Sequence, residues 1–127
     1  MKKRITSMFL VLLMVLSLMP ATVQASPASS GSGTKADPYL IATAQDLIAF
    51  RDEVNALTKK STSTLCAKLT KDIDLSNLEG DWEPIGKATN TYKDYVAYGG
   101  TFDGDGHTIA GLSINATTAY QGLFGYV

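Results

Sequence analysis

The sequence predicts a mainly-β fold preceded by one amphipathic α-helix. Three observations carry that expectation. Leu47, Phe50, Val54 and Leu57 recur at helical spacing, with Ile48 widening the stripe and Arg51, Asp52 and Glu53 mostly on the other side. From Leu65 the period changes to two: Leu65, Ala67 and Leu69 alternate with Cys66, Lys68 and Thr70, and Ile73 and Leu75 alternate with Asp72, Asp74 and Ser76. Glycine then punctuates the chain at Gly86, Gly99, Gly100, Gly104, Gly106, Gly111, Gly122 and Gly125, as short strands with sharp corners require.

The elements follow in order. Lys2, Lys3 and Arg4 precede a 12-residue apolar run, Met8 to Met19, broken only by Ser17. Pro20 and the small residues Val23 and Ala25 come next, the three-part layout of a secretory signal peptide. The run is shorter than the roughly 20 apolar residues a membrane span needs. Cleavage is expected between Ala25 and Ser26, giving a signal peptide over residues 1–25. The whole chain of 127 residues carries a net charge of −1; the 102 residues after the cleavage point carry eight basic and twelve acidic side chains, a net −4. Without a basic excess, a nucleic-acid binder held by phosphate contacts is disfavoured. The membrane is expected to be met only through the signal, during export. Cys66 is the only cysteine, which excludes an internal disulfide and a Cys-based zinc site.

Residues 26–36, rich in Ser and Gly, read as a flexible linker. Tyr39 to Ile41 suits a short strand after Pro38. Thr43 with Asp46 three residues on resembles a capping box and opens the helix, which should dock its stripe over whatever follows. Lys59 to Thr64 reads as a polar connection. Gly99 to Phe102 is the next strand candidate. Asp103-Gly104-Asp105-Gly106 is a dense turn signal, and Thr108 to Ile114 resumes the strand pattern, with Leu112 and Ile114 on one face and Ile109 on the other. Gly122 to Val127 opens another strand. Such a series fits a sandwich, a barrel or a β-solenoid, and periodicity does not choose among them.

Several strings occur together and in order: Asp37-Pro38-Tyr39-Leu40-Ile41, Thr43-Ala44-Gln45-Asp46-Leu47, Leu69-Thr70-Lys71-Asp72-Ile73-Asp74-Leu75, Trp82-Glu83-Pro84-Ile85-Gly86, Gly100 to Ile109, and Gly122-Leu123-Phe124-Gly125. Together they resemble the N-terminal segment of bacterial surface proteins carrying the GLUG motif, whose Gly-Leu-any-Gly core matches Gly122 to Gly125. The resemblance spans residues 31 to 127. It implies a right-handed parallel β-helix whose first coil is covered by the helix. It also implies a Gram-positive-type, secreted or cell-surface location, in company with adhesin-like proteins and the non-catalytic regions of immunoglobulin A peptidases. Further β-helix coils would follow, so residues 37–127 are expected to be the cap and first coils of a longer, truncated structure. On that account Leu69, Ile73, Leu75, Phe102, Leu112, Ile114, Leu123 and Phe124 stack inside the coils, while Gly104, Gly106, Gly122 and Gly125 shape the corners.

The function expected is therefore a non-catalytic scaffold or adhesion module. Candidate contacts to host glycans, matrix or cell-wall polysaccharide are Trp82, Tyr92, Tyr95 and Tyr98, since flat amphipathic rings suit sugar or peptide; packing of a loop against the coil is the plainer reading of the same rings. The alternative is a polysaccharide-cleaving β-helix using Asp72 and Asp74, two carboxylates on one strand face. His107, the only histidine, is the one available base for a Ser or Cys hydrolase, but its place after a Gly turn suits a solvated side chain. Asp103 to Gly106 lacks the ligand series of an EF-hand, so no metal is assigned. No cofactor motif is read. Cys66 shares a strand face with Lys68 and is expected to be a solvent-side or partly covered thiol. Asn115-Ala116-Thr117 matches a glycosylation sequon and is given little weight in a bacterial setting.

Overall fold

A computed structural model describes residues 30–58, 60–90 and 93–127. The expected signal segment and its expected cleavage point between Ala25 and Ser26 lie outside the described residues. The fold is mainly β with one helix. In chain order come β1 (Tyr39–Ile41), α1 (Ala44–Asn55), β2 (Ser61–Ser63), β3 (Ala67–Leu69), β4 (Ile73–Asp74), β5 (Lys87–Asn90), β6 (Asp94–Tyr98), β7 (Phe102–Asp103) and β8 (Ile109–Ala110).

The pairing is dominated by parallel ladders between distant segments. One sheet runs β1-β3-β7, with Ile41 opposite Leu69 and Ala67 opposite Phe102. A second pairs β4 with β8, Ile73 facing Ile109. A third runs β2-β6-β5, parallel between β2 and β6 and antiparallel between β5 and β6. A lone parallel bridge joins Ile85 to Phe124. Ala67 to Phe102, Ile73 to Ile109 and Ser61 to Val96 are 35, 36 and 35 residues apart, so the chain completes one circuit at three places with nearly the same step.

Apolar residues meet at Ile41–Leu69, Ala67–Phe102 and Ile73–Ile109, and the core follows from that register. Ile41, Leu69, Ile73, Leu75, Ile85 and Val96 are buried, with Phe102, Ile109, Leu123 and Phe124 half-buried against them. The helix closes one side. Thr43 accepts from the Asp46 N–H at 3.1 Å, and the Asp46 carboxylate accepts in return from the N–H groups of Thr43 and Ala42, a full capping box. Leu47, Phe50 and Val54 are then fully buried, each worth about 1.5–3 kcal/mol of apolar burial. The Phe50 ring lies 5.9 Å from both Tyr98 and Phe102 and 6.2 Å from Tyr39, which ties the helix to β1, β6 and β7. At the other end of α1, Asn55 donates to the Pro84 carbonyl and accepts from the Gly86 N–H, both at 2.9 Å, fixing the entry to β5.

Several expectations are corrected. Leu57 lies beyond the helix and is 42% exposed, because α1 ends at Asn55, whose side chain is committed to Pro84 and Gly86. The polar connection after α1 contains strand β2, held by main-chain pairing with β6. Cys66 is buried, and its thiol donates to the Thr64 carbonyl at 3.6 Å. Leu112 is 41% exposed while Ile109 packs toward the core. Gly111 at φ +76° breaks the strand between them, so the alternation does not carry through. The described part of the Ser/Gly segment is hydrogen-bonded: Ser30 accepts from the Leu40 N–H at 2.9 Å, and Gly33 from the Cys66 N–H at 2.8 Å.

Candidate binding site

Asp72 and Asp74 are exposed on the β4 edge. Asp72 Oδ1 accepts the Thr108 N–H at 3.0 Å and stands 3.2 Å from His107 Nδ1. The Thr108 N–H, and after it His107, hold the Asp72 carboxyl below its ordinary value of 3.8. Asp74 is lowered as well, by the hydroxyl and then the N–H of Ser76, which its Oδ1 meets at 2.9 Å. Both groups are therefore ionised at neutral pH, whereas a glycosidase acid must hold its proton there. What Asp72 does in the structure is fasten β4 to the start of β8. His107 follows a turn closed by its own N–H donating to the Gly104 carbonyl at 2.9 Å, and Lys68 spans to Asp105 at 3.5 Å. Among the described residues, no three His, Cys, Asp or Glu side chains converge as a metal site would need.

The aromatic candidates separate into two groups. Trp82 is 3% exposed; its indole N–H donates to the Leu123 carbonyl at 3.2 Å and Arg51 lies 4.8 Å over its ring. Tyr98 is 6% exposed and stacks on Phe124 at 5.4 Å with 17° between the rings. Protein covers the faces of both, so neither presents a ring to a ligand. Burial pushes the Tyr98 phenol up to about 12, with the charge of the neighbouring Cys66 adding to it. Tyr92 lies outside the described residues. Of the three that are described, Tyr95 is half-exposed, because it sits on β6 in opposite parity to the inward Val96 and Tyr98.

Tyr95 has partners that the sequence reading missed. Tyr126 lies 5.3 Å from it at 53°, and Tyr120 lies 5.6 Å from Tyr126 at 89°. These two flank the Gly122–Gly125 core. The chain places them by running back along the β5 entry, where Gly125 N–H donates to the Ile85 carbonyl and Tyr98 N–H to the Tyr126 carbonyl, at 3.0 and 2.8 Å. Glycine is required at 125, since a Cβ there would stand 2.5 Å from the Gly86 oxygen. The available signal was the pair of tyrosines bracketing the motif. Next to Tyr120, a shallow cavity of about 210 Å³ is lined by Ala88, Thr89, Thr118 and Ala119. A larger one of about 380 Å³, which shares Thr89 with it, lies between the end of α1 and Lys87, Asp94 and Val96.

No protein-family model matches the chain, and no solved structure matches it significantly. Two proteins of known sequence are similar to it. One is halomucin of Haloquadratum walsbyi, 41% identical over an alignment of 104 residues that covers 76% of this chain. The other, from Evansella cellulosilytica, is named as a Gly-rich membrane protein and is 34% identical over 104 residues, 78% of this chain. The chain spans about 1% of the length of the first and 10% of the second. Among the described residues, no helix is long and apolar enough to cross a membrane.

Proposed function

We propose that residues 37–127 are the capped start of a parallel β-solenoid in an exported cell-surface protein, acting there as a non-catalytic scaffold and binding module. The observation that carries this reading is the return of the chain to a parallel position beside itself, 28 residues on from β1 to β3 and 35 to 39 residues on in the next circuit. A solenoid needs that arrangement, and a sandwich built on antiparallel hairpins does not produce it. The helix over β1 is the cap that such a stack requires at its start. β7 and β8 each have one unpaired edge, onto which further coils of a longer parent would stack. The signal-like N-terminus, the GLUG-type strings and the names of the two similar proteins all favour the surface. The ionised, hydrogen-bonded state of Asp72 and Asp74 favours a structural use of both carboxylates.

Antibodies against residues 37–127 test the location on intact cells. Labelling without permeabilisation, together with a mature N-terminus at Ser26, is expected. Labelling only after permeabilisation, or retention of Met1, would overturn the export reading. Turnover on a polysaccharide panel that Asp72→Asn abolishes would overturn the non-catalytic one.

A further inference from the structure

We infer that the outward face of the β5–β6 hairpin binds an uncharged oligosaccharide, with Tyr95, Tyr120 and Tyr126 as its stacking wall; this rests on the surface-module reading and names its ligand class. Strand parity builds the floor. Val96 and Tyr98 point into the core, so Tyr95 faces out, and its antiparallel partner is Ala88, whose short side chain leaves room beside the ring. Tyr126 extends the wall from Tyr95, its ring turned by 53°, and Tyr120 extends it from Tyr126, turned by 89°. Tyr120 is 41% exposed, and its backbone stands at φ +63°, a region that bulky residues rarely adopt. The chain thus holds a strained backbone at the residue carrying the most exposed ring of the three, as functional sites often do.

Two hydroxyls in the adjoining cavity have fixed roles. Thr89, which lines the cavity, donates its proton to Asp94 Oδ2 at 2.9 Å, so its oxygen is left to accept. Thr118 accepts from Gln121 Nε2 at 2.8 Å, so its proton is left to donate. One acceptor and one donor beside an aromatic wall match a pyranose: apolar C–H faces on the rings, hydroxyls that both give and take hydrogen bonds at the rim. Among the described residues no charged side chain lines this cavity; Asp94, which Thr89 bonds, lines the neighbouring one. That selects uncharged sugars over uronate polymers.

The secreted chain is titrated by calorimetry with cellohexaose, maltohexaose and chitohexaose, and with polygalacturonate and a proline-rich decapeptide. Binding of at least one hexasaccharide is expected. Tyr120→Gly removes the ring and relaxes the backbone, so it weakens binding about tenfold without unfolding the chain, a change of about 1.4 kcal/mol. Tyr120→Phe and the remote Leu112→Ala should bind as the parent does. No binding to any hexasaccharide, undiminished binding by Tyr120→Gly, or binding to polygalacturonate or peptide alone would each overturn the inference. Loss of sugar binding in a chain still displayed on intact cells would sink this inference and leave the surface role standing; absence from the surface would sink the surface reading whatever the sugars do.

Discussion

Gly111 and Gly106 provide a matched pair for testing how closely successive circuits of the chain are stacked. Their φ angles are +76° and +75°, so alanine at either site meets the same left-handed penalty, about 1–2 kcal/mol. Their surroundings differ. A Cβ on Gly106 would meet nothing within 4 Å. A Cβ on Gly111 would stand 2.5 Å from the Ser76 nitrogen and 2.9 Å from its Cα and Cβ. Those atoms belong to the segment leaving β4, directly beside the segment leaving β8, and backbone cannot rotate aside as a side chain can. The two segments must part, which strains the neighbouring bond from Leu75 N–H to the Ala110 carbonyl, 2.8 Å long. Overpacking of this kind costs about 1–3 kcal/mol. Gly111→Ala should therefore be about 2 kcal/mol less stable than Gly106→Ala, a large share of the 5–15 kcal/mol typical of a whole domain. Urea unfolding of both variants at pH 7 measures the difference, with an unchanged slope confirming that stability alone has moved. Agreement of the two midpoints, to within about 0.5 kcal/mol given similar slopes, would refute the close stacking of β4 on β8.

Three further outcomes are expected. Tyr98 Oη is buried with no hydrogen-bond partner among the described residues, so Tyr98→Phe keeps the ring contacts, sheds an unsatisfied hydroxyl and gains about 1 kcal/mol. The gain should widen between pH 10 and about 12, where the unfolded phenol has lost its proton and the folded one has not; thermal melts at pH 9 and 11 test it, and an unchanged difference would contradict the burial. The lowered carboxyls of Asp72 and Asp74 contribute stability above pH 3.8 that is lost as pH falls through their folded values, so the gap between the parent and Asp72→Asn should close in acid melts below that point. Asn55→Ala orphans the Pro84 carbonyl and the Gly86 N–H beside buried Ile85 and should cost about 1–3 kcal/mol in the same melts, whereas a surface-like loss under 0.5 kcal/mol would deny the clamp.

Local chemistry was legible in the sequence; pairing between distant segments was only partly so. The capping box at Thr43 and Asp46 lies within four residues, and the stripe of Leu47, Phe50 and Val54 repeats a single period, so both could be read directly. Ile73, Leu75 and the flanking acids show the same for a half-buried strand. Strand β2 escaped because Ser-Thr-Ser carries no hydrophobic period; its place comes from main-chain bonds to β6, which leave no mark on side-chain type. The β5–β6 hairpin escaped because Tyr95, on the outer face, is as aromatic as Tyr98 on the inner one, which blurs the alternation. Leu112 and Ile109 were exchanged because parity was carried across Gly111, where the strand breaks.

The binding wall was half-legible for a related reason. Composition finds tyrosines, but availability is decided by burial, and burial by parity. Tyr95 and Tyr98 are three apart on one strand, so they cannot share a face; once Tyr98 packs on Phe50 and Phe124, Tyr95 must look outward. Phe124 belongs to the motif core that also seats Leu123 against the interior and brings Gly125 against the Gly86 carbonyl. The same backbone delivers Tyr126 to Tyr95 and Tyr120 to Tyr126. Shape and the proposed recognition therefore do not compete for this segment. The residues that close the core on the inside fix the tyrosines on the outside, so a change that loosened the motif would disperse the wall without touching a ring.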